Sequence, residues 1–198
     1  MRNTLAAALI AAMPAVAQAQ DRPQIFPTRD VAVTYRVAGP GEQAELTLLW
    51  SAAHRRMRMN MPQGLGYIVA DLQGRHGFMV MEQMRMIMDV PARQAGGFQQ
   101  DLENARFTRG GTEKIAGLDC TVWRYQSASG QGEACITNDG VMLRGNGTAR
   151  GAGGGRMEAT RVVFAPQDAS LFQRPRGYQT MRMPQGMPQG IPGMQQPR

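Results

Sequence analysis

Hydrophobic and polar residues alternate with a period of two along most of this chain, the pattern of half-buried β-strands. The segment Val31 to Val37 shows it first, with apolar odd-numbered positions against Ala32, Thr34 and Arg36. The sequence predicts strands at 31–37, 44–50, 55–61, 65–72, 76–81, 84–90, 107–112, 118–126, 132–137, 141–144 and 157–164. Short strands joined by turn residues indicate a mainly β fold, an antiparallel meander of about ten strands.

Two segments depart from this alternation. In residues 91–105, Phe98, Leu102 and Ala105 recur at helical spacing, which predicts one short helix. Residues 145–155 are rich in glycine and lack the Gly-Lys-Ser/Thr ending of a phosphate-binding loop, so we interpret them as a flexible hairpin connection. A sheet of this size is expected to curl, with the helix against its concave face.

Methionines occupy alternate positions on three of the predicted strands. The chain has 16 methionines, and eight of them form the candidate ligand-binding set: Met57, Met59, Met61, Met79, Met81, Met84, Met86 and Met88. Period-two alternation places each strand's methionines on one face of the sheet. If these strands are neighbours, the sheet carries a continuous surface of thioether side chains.

Three interpretations of this surface stay open. It is an ordinary core filled with adaptable side chains, or a binding face for a hydrophobic ligand such as an acyl chain, or part of a soft-metal site. The metal interpretation places a Cu(I) or Ag(I) site in the C-terminal tail, at Met181, Met183, Met187 and Met194. We expect a hydrophobic ligand and no cofactor. The alternatives are a methionine-based metal binder and a structural or partner-binding envelope protein.

The two ends of the chain differ from the part between them. Residues 1–19 have a basic start, an apolar stretch and an Ala-Gln-Ala ending, which predicts a signal peptide cleaved after Ala19. Residues 181–198 repeat Met-Pro-Gln-Gly and are predicted to be a disordered tail. The expected organisation is therefore a signal peptide, a β domain over residues 20–180 and a tail, in a protein exported to the periplasm.

Cys120 and Cys135 are the only cysteines. A hairpin centred on Ser127 and Ala128 would place them directly opposite each other, close enough for a disulfide. An even cysteine count in an exported chain favours such a bridge. A redox or metal pair is the alternative, but the chain lacks a C-x-x-C motif.

Charge and motifs narrow the function further. The formal net charge is +7, and Lys114 is the only lysine among the 22 basic residues. Export and the scattered arginines argue against a nucleic-acid partner.

No later apolar stretch is long enough for a membrane-spanning helix. We find no nucleophile or zinc-protease motif and expect a non-enzymatic protein. His54 and His76 each lie near a predicted turn and are expected at the surface.

Three stretches carry a resemblance to a known family. They are Met57-Arg-Met-Asn-Met61, then Gly77-Phe-Met-Val-Met-Glu82 with Met84-Arg-Met-Ile-Met88, and Lys114-Ile-Ala-Gly-Leu-Asp-Cys-Thr-Val-Trp123 with Glu133-Ala-Cys-Ile-Thr137. The chain resembles an uncharacterised family of exported bacterial proteins over residues 31–164. That resemblance implies a LolA/LolB-type half-barrel, in which a curled antiparallel sheet presents a hydrophobic concave face partly covered by helix. It also implies handling of lipids or lipoproteins.

Overall fold

The structure, a computed structural model, describes residues 21–39, 42–91, 102–128, 130–149 and 152–181. The predicted signal peptide lies outside these residues, as do most of the predicted helix and positions 182–198 of the tail. Twelve strands are described: β1 Val31–Gly39, β2 Glu42–Ser51, β3 Arg56–Asn60, β4 Gly66–Asp71, β5 His76–Met81, β6 Met86–Pro91, β7 Arg106–Ile115, β8 Leu118–Gln126, β9 Gly130–Ile136, β10 Met142–Ala149, β11 Ala152–Val163 and β12 Gln179–Met181. Two 3-10 turns span Pro62–Gly64 and Ala169–Phe172.

All twelve strands form one curled, unclosed sheet in the order β12-β6-β5-β4-β3-β2-β1-β11-β10-β9-β8-β7. Neighbours pair antiparallel, except that β12 runs parallel to β6. Strand β1 lies in the middle because it pairs with both β2 and β11. We call β2 to β6 with β12 the methionine wing, and β7 to β11 the disulfide wing.

The prediction of a mainly β, curled antiparallel half-barrel is confirmed, but the strand count is wrong. The structure has 12 strands where about ten were expected. Eleven coincide with predicted segments. The additional strand, Gln179–Met181, ends on the first residue of the predicted tail. It pairs with Met86, Ile87 and Met88 at the edge of the sheet.

The glycine-rich segment is largely strand, which corrects its interpretation as a flexible connection. Strand β10 continues to Ala149 and β11 starts at Ala152. A packing contact explains two glycines in this region. A Cβ at Gly147 would lie 2.4 Å from the Tyr125 hydroxyl oxygen, and one at Gly132 would lie 2.7 Å from it. These glycines make room for a tyrosine that crosses their strands.

The described end of the helical segment packs where the sequence predicted. Leu102 and Glu103 are helical, and Leu102 is 1% exposed. Leu102 and Ala105 share a buried cluster with residues of the disulfide wing, namely Trp123, Tyr125, Ala134, Ile136 and Met142. Strand register places Trp123 in one row with Ala134, Gly145, Met157, Val37 and Ala44. The helical segment therefore covers the same face of the sheet that carries the methionines on the other wing.

The centre of that face is closed by the segment before β1. The Phe26 ring stacks on Trp50 at 5.4 Å between centroids, and the Trp50 Nε1–H donates to the Pro27 carbonyl at 2.8 Å. The largest buried cluster forms around these rings, with Val31, Val33, Leu48 and Leu143 among its members. The Tyr35 hydroxyl donates to the Met142 carbonyl at 2.7 Å, which joins β1 to the start of β10.

The opposite face of the methionine wing is covered by the C-terminal segment. We call residues 164–181 the strap. Phe172 of the strap is 3% exposed and packs in a cluster with Tyr67, Val69, Phe78, Val80 and Ile87. The Asp30 carboxylate accepts the backbone N–H groups of Ala52 at 2.8 Å and Gln167 at 2.9 Å, so it ties the start of the strap to the β2–β3 turn.

The predicted disulfide is present between Cys120 and Cys135, with Cα atoms 5.4 Å apart. The predicted register is wrong by two residues, because Cys135 faces Val122 and not Cys120. The bridge is therefore diagonal across the β8–β9 hairpin. The hairpin is centred between Ala128 and Ser129, and Ser129 itself lies outside the described residues.

Candidate functional site: the methionine face

The methionines of β3, β5 and β6 lie on one face of the methionine wing, which we call the Met face. One row runs across four strands in the order Met59, Ile68, Met79, Met88. A second row pairs Met81 directly with Met86. The expected thioether-lined surface therefore exists, with Ile68 as the aliphatic member contributed by β4.

Strand β12 extends the first row by one more sulfur. Met181 pairs with Met88 in the parallel β12–β6 ladder. From the sequence, Met181 was grouped with Met183, Met187 and Met194 in the tail. The structure places it on the sheet beside the strand methionines, whereas the other three lie outside the described residues. Its position depends on the strap crossing the opposite face, which no local sequence pattern indicates.

Burial changes along the Met face. Met57 is 4% exposed and belongs to the central cluster around Trp50. Five strand methionines farther out are half-buried: Met59, Met79, Met81, Met86 and Met88. Met181 at the sheet edge is 54% exposed. Only the innermost methionine is thus part of a closed core.

Two methionines of the predicted set lie outside the strands. Met61 follows the end of β3, and its methyl carbon lies 3.2 Å from the position that a Cβ of Gly66 would take. Met84 lies in the turn between β5 and β6 and is 60% exposed. Strands β3, β5 and β6 therefore carry six of the eight predicted methionines, five of them in the two rows, and Met181 extends the first row.

The centre of the sheet is a filled core. A cavity of about 20 Å³ remains between the segment before β1 and the sheet, lined by Phe26, Val31, Trp50, Met57 and their neighbours. One water molecule occupies roughly 30 Å³ in the liquid, so this space holds at most about one water. An apolar ligand therefore has no room beneath Phe26, and the accessible part of the Met face is its outer portion.

A larger pocket of about 330 Å³ lies on the opposite face, between the strap and β3 to β5. The exposed His76 and the side chains of Arg56, Asp71, Phe172 and Arg174 line it. Arg56 donates from Nε to the Asp71 carboxylate at 3.0 Å. The guanidinium of Arg174 pairs with Asp89 and lies over the Phe78 ring.

Hydrogen bonds control the charge of this pocket. Burial acts to raise the pKa of Asp71, but the Gly74 N–H and the Arg56 guanidinium outweigh it and lower that pKa below its ordinary value. Asp71 is therefore a stable carboxylate with a paired cation. Among the described residues, no group of three or more His, Cys, Asp or Glu could hold a metal ion. His54, the other histidine, is exposed at the β2–β3 turn.

The Arg58 side chain shows how the two faces of β3 differ. Its guanidinium stacks over the Tyr67 ring at 3.5 Å from the centroid and donates to the Leu171 carbonyl at 2.9 Å. Burial lowers the pKa of Arg58, against the opposing influence of Tyr67 and Glu82. Arg58 thus fastens the strap to one face, while its neighbours Met57 and Met59 point to the other.

The open sheet, the helical segment on one face and the strap on the other define a curled, unclosed β half-barrel. The chain belongs to the family described as a domain of unknown function (DUF4412), whose model matches residues 32–145. This confirms the expected kinship with an uncharacterised family. No curated protein matches the chain. None of the helices in the described part is long and apolar enough to cross a membrane.

Several solved structures are similar to this chain at low sequence identity, two of them with a TM-score above 0.5. An uncharacterised conserved protein from Thermus thermophilus is 12% identical, with 79% of this chain and 91% of that chain covered and a TM-score of 0.59. The MucA/MucB complex of Pseudomonas aeruginosa matches at 14% identity and a TM-score of 0.53, over 81% of this chain and 62% of that chain. A putative outer membrane lipoprotein-sorting protein domain from Vibrio parahaemolyticus is 11% identical over 75% and 91% of the two chains, with a TM-score of 0.42.

Proposed function

We propose that this protein is a non-enzymatic periplasmic protein that binds a hydrophobic ligand on its Met face. The observation that carries the proposal is the pair of methionine rows, which are in register across neighbouring strands and only half-buried. Methionine suits such a surface because its flexible, polarisable thioether adapts to irregular apolar partners. Export through the signal peptide at residues 1–19, with cleavage after Ala19, belongs to this proposal.

The filled centre limits the shape of the ligand. Because Phe26 and Trp50 close the middle of the sheet, the ligand lies along the outer rows and not in an enclosed tunnel. A single acyl chain fits this description, since it can follow the row from Met59 to Met88 across four strands. Neighbouring strands lie about 4.8 Å apart, so that row is roughly 15 Å long.

Native mass spectrometry of protein purified from the periplasm tests the proposal. We expect an adduct with the mass of a lipid or fatty acid, lost in Met88→Arg because a cation on the Met face disfavours an apolar chain. Met84→Arg is the matched control, since that methionine lies in an exposed turn. Absence of an adduct in the unmodified protein, or equal adducts in both variants, would contradict the proposal.

A protein partner is the second candidate, and the edge strand β7 favours it. Most residues of Arg106–Ile115 are exposed, and β7 is the last strand of the sheet. An unpaired strand edge can accept an added strand from another chain. A similar fold, that of MucB, occurs in a complex with MucA. A co-purifying protein that is lost in Thr108→Pro, with no lipid adduct, would favour this candidate over the first.

A further inference from the structure

Five methionines meet at one corner of the sheet, where β5, β6 and β12 run side by side. We call this group the Met corner: Met79, Met81, Met86, Met88 and Met181. Met79 faces Met88 directly, and Met88 is next to Met181 on the other side. Met81 faces Met86 in the adjoining row. The corner thus has three thioethers in one continuous row and two more beside it.

Core packing accounts for only one member of this group, because Met79 packs against the central cluster and the other four methionines belong to no buried cluster of the described residues. The fully buried positions of the molecule are held by other residues, such as Val31, Val33, Leu102 and Leu143. The Met corner is instead half-buried, and its outermost member, Met181, is 54% exposed. A side chain chosen to fill irregular core space gains little at an exposed edge. The arrangement therefore calls for a property that leucine lacks, which is the thioether sulfur.

We propose that the Met corner binds a soft monovalent cation, Cu(I) or its analogue Ag(I), through the thioethers of Met79, Met88 and Met181. Thioethers select Cu(I) among the biological metals because both are soft. The three ligands are neutral, so a monovalent ion adds only one charge to the site. Met81 and Met86 provide a second pair of sulfurs within the same surface.

The spacing of the strands permits this coordination. Adjacent strands are about 4.8 Å apart, so the backbones bearing Met79 and Met181 are about 10 Å apart, with Met88 midway. Each methionine has three rotatable side-chain bonds and can lean toward its neighbour. The exposed edge position of Met181 leaves the ion a path from solvent. The pairing of β12 with β6 places Met181 beside Met88 and so completes the set of three thioethers.

Methyl resonances of the methionines give a residue-level test. With [methyl-13C]methionine-labelled, full-length mature protein, titration with Ag(I) is expected to shift the signals of Met79, Met88 and Met181. The buried Met142 and the exposed Met84 serve as internal references and are expected to stay in place. Shifts confined to Met183, Met187 and Met194 would overturn the corner site in favour of one in the tail.

Competition with a chromogenic chelator measures the affinity of the protein for Cu(I). The double variant Met88→Leu/Met181→Leu is expected to lose affinity by about tenfold or more. Met84→Leu is the matched control and is expected to leave the affinity unchanged. Equal affinity in the double variant and the unmodified protein, or negligible Cu(I) binding by both, would overturn the proposal.

Leucine substitution separates this proposal from the hydrophobic-ligand function. Met→Leu conserves side-chain volume and apolar character but removes the sulfur. The double variant is therefore expected to retain a lipid adduct in native mass spectrometry while losing Cu(I). Loss of the lipid adduct in Met88→Arg tests the proposed function, and loss of Cu(I) with the lipid adduct retained in the leucine double variant tests the Met corner.

Discussion

The two wings of the sheet are stabilised by different means. The disulfide wing has a covalent bond between Cys120 and Cys135, both buried, and its helical segment packs Leu102 onto Trp123. The methionine wing has no cysteine, and its described residues are held on one face by the strap. Its other face is left half-covered. The wing with the weaker constraint is thus the one that presents an accessible apolar surface.

Within the methionine wing, the apolar side chains on the two faces of the same strands also differ in burial. On the strap side, Phe78, Val80 and Ile87 are buried against Phe172. On the other side of the same strands, Met79, Met81 and Met86 are only half-buried. Alternation along a strand therefore yields a closed core and an open surface from neighbouring positions. If the two wings and the two faces are independent, a substitution in one should change stability and hydrogen exchange there and leave the other unchanged.

The largest effect is expected for Phe172→Ala, which removes the buried anchor of the strap. Truncating a buried phenylalanine costs about 3–5 kcal/mol in the free energy of unfolding, which chemical denaturation measures. Hydrogen exchange is expected to accelerate most in β6 and β12 and least in β8 and β9. The half-buried Leu171→Ala is the control and should cost less. Uniform acceleration across both wings would show that they do not open separately.

Replacing both cysteines is expected to have the next largest effect. The bridge closes a loop of about 15 residues, and Cys120→Ser/Cys135→Ser should lower the free energy of unfolding by roughly 3 kcal/mol. Faster hydrogen exchange should be concentrated in the disulfide wing, the reverse of the pattern for Phe172→Ala. A variant as stable as the parent would mean that the wing is held by packing alone.

Acid titration tests how much the ion pair between Asp71 and Arg56 contributes to the stability of the fold. Asp71→Asn removes the carboxylate that accepts from Arg56 and should cost about 1.5–3 kcal/mol at neutral pH. The pKa of Asp71 is lowered in the folded protein, so its carboxylate stabilises the fold above its ordinary pKa. That stability is lost as pH falls through the folded-state value, so the parent and the variant should converge in stability once the pH is below that lowered pKa.

Asp119→Asn is the matched control for Asp71→Asn. Asp119 belongs to the disulfide wing, its side chain is 81% exposed, and its contact with Lys114 is 3.6 Å long. Exposed pairs of this kind contribute about 0–1 kcal/mol, so Asp119→Asn should change stability little at neutral pH. Denaturant midpoints measured across the same pH series provide the comparison. If both variants lost equal stability, the strap-side carboxylate would have no special role.

The smallest effect is expected for Met59→Leu and Met88→Leu on the open face. Volume-conserving apolar exchanges usually cost less than about 1.5 kcal/mol, and half-burial should reduce this further. Thermal unfolding of each single variant measures the change. A loss as large as that of Phe172→Ala would mean that these methionines are core residues, and the difference between the two faces would disappear.

Local pattern was sufficient for most of the fold. Alternation located eleven strands because most of them place an apolar series on one face of the sheet, and it put Met57 and Met59 on the face opposite Arg58. The cysteine register was wrong by two residues because Ser127 to Gly130 contains several residues able to form a turn. Gly147 of β10 looks like a loop residue in the sequence because Tyr125, the side chain for which it makes room, is distant in sequence.

The strap and the complete Met corner could not be derived from periodicity. Strand β12 has only three residues, all exposed, and its pairing with β6 follows from the anchoring of Phe172 on the opposite face. Met181 therefore looked like part of a low-complexity tail. The candidate ligand set from the sequence contained the strand methionines but not the residue that joins them at the edge.

The central position of β1 has a consequence for how the chain folds as it is synthesised. Strand β1 is among the first segments to emerge, yet one of its two neighbours, β11, spans residues 152–163. Until those residues arrive, the hydrogen-bonding edge of β1 toward β11 has no native partner. Such long-range pairing slows folding, and an unpaired edge invites aggregation. The edge of β1 that faces β11 therefore stays open until almost the whole domain has been synthesised.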